Sequence, residues 1–146
     1  MTNPTDLLGE SIAVMTLAQK PQASPTTPTT EQVAFWQAQD ACERNDFSYR
    51  CTVDYKELPQ SGHVAHEATP DRVVVTATDM DVLGEWLYVM GGTVEKVDLS
   101  HGQTVWTLHT STWSDSPRFP VVPVHVTVVQ LTGAPVMHEI AAAVRA

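Results

Sequence analysis

Histidine and acidic side chains that could hold a metal ion occur together at one place in this sequence. His63, His66 and Glu67 lie within five residues of one another. Imidazole nitrogens and carboxylate oxygens are ligands that zinc accepts. The spacing differs from the helical His-Glu-x-x-His arrangement, so a solvated surface loop without a ligand is the alternative. The sequence therefore predicts His63, His66 and Glu67 as candidate zinc ligands in a loop over residues 59–70.

A second pair of histidines, His109 and His125, is predicted on two consecutive strands. Apolar residues at even positions point inward on both strands, so both histidines point outward. If the strands pair around the 113–120 loop, the two imidazoles lie opposite each other with Cβ atoms about 5 Å apart. They are candidate metal ligands, and the alternative is a solvated or dimerising sheet face that carries two neutral histidines.

The usual catalytic motifs do not occur in the chain. There is no Gly-x-Ser-x-Gly elbow, no phosphate-binding glycine loop and no dinucleotide fingerprint. Neither Cys42 nor Cys51 stands in an obviously electropositive stretch of the sequence, which is the setting that activates a thiol. The enzyme question stays open and leans towards no, the catalytic residues are unknown, and no cofactor is predicted apart from the zinc considered above.

The charge of the chain restricts its partners. The formal charge is −9 and the isoelectric point about 4.9, which argues against binding to nucleic-acid phosphates or to anionic lipid. Acidic residues are concentrated between positions 67 and 98. This region either keeps the chain soluble or imitates a nucleic acid, as an inhibitor would. No apolar run approaches the ~20 residues that a membrane span needs. Two cysteines are too few for a disulfide framework. Because a basic export signal is also missing, a cytoplasmic location is expected.

The first thirty residues differ from the remainder. Residues 1–20 form an amphipathic segment with a predicted helix over 6–19, whose stripe consists of Leu8, Ile12 and Met15. Residues 21–30 are a linker rich in proline and threonine, which can span about 30 Å when extended. The segment is predicted to bind a partner or to support oligomerisation; the alternative is that it docks on its own domain or frays. Residues 31–146 are predicted to form a single domain.

Two elements are predicted at the start of that domain. A helix over 31–44 begins with a capping box formed by Thr29 and Gln32, and Val33 and Trp36 begin its buried side. Asn45 and Asp46 end it. Apolar residues then alternate with polar ones over residues 47–56, which predicts an amphipathic strand.

The remaining elements follow from hydrophobic periodicity and turn residues. Strands are predicted at 72–78, 93–99, 103–112 and 121–131. A short helix begins at Asp79 or Asp81 and ends at Gly91-Gly92, and a last helix covers 136–145. The fold class is therefore α+β, a mostly antiparallel sheet of about five strands with helices on one face, preceded by the tethered N-terminal helix.

The loop over residues 113–120 contains Trp113, Arg118 and Phe119. Tryptophan and arginine dominate interaction hot spots, so these residues are predicted to bind a partner. The alternative is that Trp113 and Phe119 close one end of the sheet.

The stretch from Arg72 through Gly91-Gly92 to Leu131 combines a valine-rich strand, a short Trp-containing helix, a hairpin and a second valine-rich strand. It resembles small uncharacterised proteins of high-GC actinobacteria and of their phages and mobile elements. The resemblance implies an accessory gene product. The function predicted is a cytoplasmic protein-interaction or assembly module with a protein partner and a homo-oligomeric state. The alternatives are a small metal-dependent enzyme or ligand-binding protein and an acidic inhibitor.

Overall fold

A computed structural model describes residues 27–60, 63–114 and 120–145. The chain divides into two units, Met1–Ala34 and Phe35–Ala146. Only residues 27–34 of the first unit are described, and they contain the start of a helix. The predicted helix over 6–19, with Leu8, Ile12 and Met15, lies outside the described residues.

The described residues form three helices and five strands, which confirms the predicted α+β class. In chain order the elements are α1 (Thr30–Lys56), β1 (Val64–Ala68), β2 (Val73–Ala77), α2 (Met80–Met90), β3 (Thr93–Asp98), β4 (Gln103–Ser111), β5 (Pro123–Leu131) and α3 (His138–Ala142).

The five strands form one sheet in the order β1-β2-β5-β4-β3. Three neighbouring pairs are antiparallel, and β2 and β5 are parallel. The parallel pair arises because α2, β3 and β4 are inserted between β2 and β5, and such a crossover returns the chain in the same direction. β5 is central, and Pro123 stands at its first position, where proline removes the fewest ladder hydrogen bonds.

Helix α1 confirms the predicted start and contradicts the predicted end. The Thr29 hydroxyl accepts from the Gln32 N–H at 3.1 Å, and the Gln32 side chain accepts from the Thr29 N–H at 2.9 Å, which completes the capping box. The prediction of a stop at Asn45 and of a strand over 47–56 was wrong, because the helix continues to Lys56. Its buried residues there, Tyr49, Thr52 and Val53, have helical spacing.

The predicted burial of Val33 and Trp36 was also wrong, because both side chains are exposed. The helix ends where Glu57 takes a positive φ of 54° and the Leu58 N–H donates to the Val53 carbonyl at 3.0 Å. The loop predicted over 59–70 contains β1, which pairs antiparallel with β2. The Asn45 side chain donates to the Thr69 carbonyl at 2.8 Å and joins α1 to the β1–β2 turn.

Helix α2 agrees with its prediction at both ends. The Asp79 carboxylate accepts from the Asp81 N–H at 2.9 Å at the start. Gly91 and Gly92 end the helix with φ values of 76° and 125°. A Cβ atom on Gly92 would collide with the backbone carbonyl oxygen of His109, so this turn requires glycine.

One face of the sheet is covered by the three helices. Each strand except β1 contributes a fully buried hydrophobic residue to the core, and Leu83 and Trp86 of α2 and Ile140 of α3 pack on them. The Tyr49 ring of α1 stacks against Trp86 with ring centroids 5.9 Å apart. The core residues of the strands are Val73, Val75, Ala77, Val94, Trp106, Leu108, Val124, Val126 and Val128.

Helix α3 is shorter than the predicted 136–145, although Ile140 is buried as expected. Val144 lies beyond the helix and forms an isolated parallel bridge with Val94.

Both cysteine thiols are free; Cys42 is half-buried and Cys51 is exposed. Within residues 27–60, 63–114 and 120–145, no helix has both the length and the apolar character that crossing a bilayer requires.

Candidate functional site

The second face of the sheet carries the side chains that alternate with the core residues, and we call it the open face. Strand register arranges these side chains in three rows across β3, β4 and β5. The valine row is Val97, Val105 and Val129; the threonine row is Glu95, Thr107 and Thr127; the histidine row is Thr93, His109 and His125. No residue of the open face belongs to the hydrophobic core cluster of the described residues.

The histidine row brings together the two histidines that the sequence placed on one face. His109 and His125 are direct partners in the β4–β5 register, which confirms that part of the prediction. Their ring centroids are 4.4 Å apart, with the rings at 72° in an edge-to-face arrangement. His109 Nε2 lies 3.0 Å from Glu95 Oε1 on the neighbouring strand β3. A carboxylate therefore orients one imidazole, and that imidazole contacts the other.

The electrostatic surroundings of His125 favour its neutral form. Burial lowers the pKa of the His125 imidazole below its usual value of 6.5, and the neighbouring His109 and Arg72 lower it further. Glu95 acts in the opposite direction with a smaller effect. A neutral imidazole beside a histidine–carboxylate pair can accept or donate one hydrogen bond to a ligand on the open face.

Metal binding by these histidines would need a third ligand in reach. Among residues 27–60, 63–114 and 120–145, no group of three or more histidine, cysteine, aspartate or glutamate side chains is placed to hold a metal ion. Zinc sites in proteins have three or four protein ligands. The metal-binding role of His109 and His125 stays a prediction.

The valine row continues the open face away from the histidines. Val97 is 48% exposed and Val129 is 43% exposed, with the half-buried Val105 between them. Leu131, at the end of β5, is 70% exposed. Single exposed apolar residues are ordinary on protein surfaces, whereas a contiguous apolar group is a candidate interaction surface.

The other predicted histidine group is divided between the two faces of the sheet. His66 and Glu67 are consecutive on β1, so their side chains point to opposite faces, and His63 is exposed in the preceding turn. The structure therefore does not bring His66 and Glu67 together. The role of this group as zinc ligands stays a prediction.

His66 has a different set of partners, on α1. Its Nε2 lies 2.8 Å from Asp46 Oδ1, and its ring stacks on Tyr49 with centroids 4.3 Å apart. Asp46 also pairs with Arg50 at 2.6 Å. Burial, with a further contribution from Asp46, raises the pKa of Tyr49 to about 12. This arrangement fastens β1 to α1.

Trp113 packs on α1. Its ring stacks on Tyr55 with centroids 4.3 Å apart, and its backbone N–H donates to the Thr52 hydroxyl at 3.1 Å. The Lys56 ammonium lies 5.4 Å from the Trp113 ring centroid. Arg118 and Phe119 lie outside the described residues. The partner-binding role of these three residues stays a prediction.

Sequence reasoning missed Glu95, the valine row and Asp46. For Glu95 and Val97 the signal was present, because both share the outward parity of the predicted 93–99 strand. Asp46 could not be found, since its role depends on the continuation of α1 that the sequence did not predict.

Comparisons with known proteins return no match. No protein-family model matches the chain, no curated protein matches its sequence, and no solved structure matches its fold.

Proposed function

We propose that this chain is a small cytoplasmic protein-interaction module that assembles with a second copy of itself through the open face. The observation that carries the proposal is the valine row, in which Val97, Val105 and Val129 lie side by side on three adjacent strands and two of them are clearly exposed. The two free thiols support an intracellular, reducing location.

The open face suits contact with another sheet. The valine row and the threonine row present short, β-branched side chains, which pack well on a pleated surface and lose little conformational entropy when buried. Glu95 is the one formally charged side chain in these two rows, and it stands on the edge strand β3. Two such faces can approach without stranding a buried charge in the centre of the contact.

A second copy is the occupant that the charge of the chain favours. With a net charge of −9, two copies repel wherever their carboxylates meet. The valine and threonine rows are a part of the surface where carboxylates are few. A two-fold axis parallel to the strands sets valine row against valine row and histidine pair against histidine pair, as an isologous interface requires.

Sedimentation velocity of the full chain over a hundredfold concentration range tests the proposal. The wild-type chain is expected to show a monomer–dimer equilibrium. Val129→Asp places a charge in the valine row, and the variant is expected to stay monomeric. Val121→Asp is the matched control, because Val121 is also exposed but precedes β5. This control is expected to dimerise as the wild type does.

A wild-type chain that is monomeric throughout the range overturns the proposal. A dimer that is equally strong in Val129→Asp and in the wild type also overturns it, since the contact would then lie elsewhere. Circular dichroism and thermal unfolding of both variants establish that each is folded.

The same proposal assigns recruitment of a further partner to the N-terminal segment with Leu8, Ile12 and Met15, and to the 113–119 loop. Its support is the apolar stripe in the sequence and the resemblance to accessory proteins of actinobacteria and their phages. Ile12→Asp is expected to abolish co-purification of that partner from the host while leaving the dimer intact. Unchanged co-purification would remove the N-terminal segment from the proposal.

A further inference from the structure

An apolar groove lies between α2 and α3, apart from the open face. It has a volume of about 630 Å³, within the range of clefts that bind ligands. Gly84 and Leu87 of α2 and Met137 and Ile140 at α3 supply its apolar lining. Gly84 lets the two elements approach, because a Cβ atom there would collide with Met137 Cε.

The rim of this groove is acidic. Asp81, Glu85 and Tyr88 follow one another on α2 at spacings of four and three, so they stand on one face of the helix, and Glu139 lines the groove from α3. Among the residues that the structure describes, no lysine, arginine or histidine lines the groove. Within the described parts of the chain, none of the three carboxylates forms an ion pair with a basic side chain.

Tyr88 extends the apolar surface to the rim. It is 86% exposed, the highest value among the large hydrophobic residues described. Tyrosine supplies a large contact area at a low cost in conformational entropy, which makes it a frequent anchor in interfaces. Met137 lies at the opposite wall and is also exposed, and its flexible thioether can adapt to different side chains.

From this combination we infer that the α2–α3 groove binds a basic amphipathic helix of a partner protein. Its apolar side chains enter between Leu87 and Met137, and its lysine or arginine side chains pair with Asp81, Glu85 and Glu139. The charge of the rim selects this occupant, since an acidic or neutral helix would leave three carboxylates unpaired. The N-terminal segment of this chain is a poor complement, because it carries Asp6 and Glu10 against the single basic residue Lys20.

Helical recognition fits the position of the groove. Two helices form its walls, and the Val94 N–H of the edge strand β3 already donates to the carbonyl of the lining residue Ala143, so an added strand is not the expected occupant. A helix in a groove presents side chains at i, i+3, i+4 and i+7, which match the spacing of the rim residues along α2. This inference is independent of self-association, because α2 and α3 pack on the covered face of the sheet.

Titration calorimetry with two synthetic 14-residue peptides tests the inference on the full chain. One peptide carries leucine and lysine at amphipathic helical spacing, and the other replaces each lysine by glutamate. The leucine–lysine peptide is expected to bind at low ionic strength and to weaken as salt is added. The leucine–glutamate peptide is expected not to bind.

Charge reversal locates the contact. The double variant Asp81→Lys and Glu85→Lys is expected to weaken binding of the leucine–lysine peptide about tenfold, since two attractions become repulsions. Asp54→Lys with Asp71→Lys makes the same change of net charge at exposed positions outside the groove, and is expected to bind nearly as the wild type does. The methyl resonance of Met137 should shift when the peptide is added.

Equal loss of binding in the two double variants overturns the inference, because net charge alone would then explain the affinity. Equal binding of the two peptides overturns it too, as does an unmoved Met137 methyl resonance at saturation. The absence of binding by the leucine–lysine peptide at millimolar concentration has the same meaning. None of these results bears on the dimer, which sedimentation measures separately.

Discussion

On β5, consecutive side chains lie in two different environments. Val124, Val126 and Val128 are completely buried under the helices, whereas His125 and Thr127 are half-buried and Val129 is exposed on the open face. Both faces use β-branched residues, so composition does not distinguish them. What distinguishes them is the helix layer on one side. The covered face accordingly supplies stability, and the open face carries the groups available for recognition.

The two faces also place histidines in contrasting settings. His66, which points to the covered side, is held by the Asp46 carboxylate and the Tyr49 ring. His125, on the open face, is beside another imidazole and has its pKa lowered. His66 therefore links β1 to α1, whereas the imidazole of His125 can hydrogen-bond a ligand on the open face.

Paired substitutions on β4 should give the largest difference between the faces. Leu108→Ala removes a fully buried side chain and is expected to lower the free energy of unfolding by about 2–5 kcal/mol. Thr107→Ala, on the neighbouring open-face position, is expected to cost about 1 kcal/mol or less. Urea denaturation of the two variants measures both values. Similar losses would mean that the open face is also part of the core.

The turn that connects the covering helix α2 to the sheet should respond next most strongly. Gly92→Ala combines a φ of 125° with a collision against the His109 carbonyl, so a loss of about 1–3 kcal/mol or more is expected. Gly91→Ala is the matched control, because Gly91 also has a positive φ but nothing lies within 4 Å of its Cβ position. Thermal unfolding should rank Gly92→Ala as the less stable variant; the reverse order would contradict the close approach to β4.

Acid should weaken the fold through the open face. The pKa of His125 is lower in the folded chain than the usual 6.5, so the unfolded chain binds more protons in the interval between the two values. Stability from this group is therefore complete above pH 6.5 and is lost as the pH falls through that interval. His109 and Arg72, which lower the pKa, and Glu95, which raises it, are the charged or titratable groups acting on His125.

Unfolding at pH 7.5 and pH 5.5 measures this effect. His125→Gln is expected to lose less stability between the two pH values than the wild type does. His63→Gln, at an exposed position in a turn, should keep the wild-type difference. An unchanged pH dependence in His125→Gln would show that the imidazole is not the group that responds.

Alkali should weaken the fold through the covered side. The pKa of Tyr49 is raised from 10.0 to about 12, so stability is complete below pH 10 and falls as the pH rises towards 12. Tyr49→Phe keeps the ring that stacks on Trp86 and removes the ionisable group. The variant should therefore lose less stability than the wild type between pH 8 and pH 11 in denaturant unfolding. Equal losses would contradict the burial of the phenol.

The sequence determined those elements whose signals are local. The capping box of α1, the Gly91-Gly92 end of α2, the 93–111 hairpin and the alternation of β4 and β5 were all predictable, since each depends on residues close in the chain. The His109–His125 pair was predictable in part, because parity placed both side chains on one face, whereas the register across the long 112–122 connection was an assumption that the structure confirms.

Tertiary structure alone decided that the segment over 47–56 is helical and that residues 64–68 form the strand β1. The alternation from Phe47 to Tyr55 predicts a strand, but Tyr49 and Val53 are also four residues apart and share one helix face. Packing against Trp86 and His66 selects the helix, in which Tyr55 finds a partner in Trp113. β1 has little apolar alternation of its own and exists because β2 offers it hydrogen-bonding groups. Local patterns can thus be read from the chain, whereas a segment that fits both helix and strand is settled by the surface it packs against.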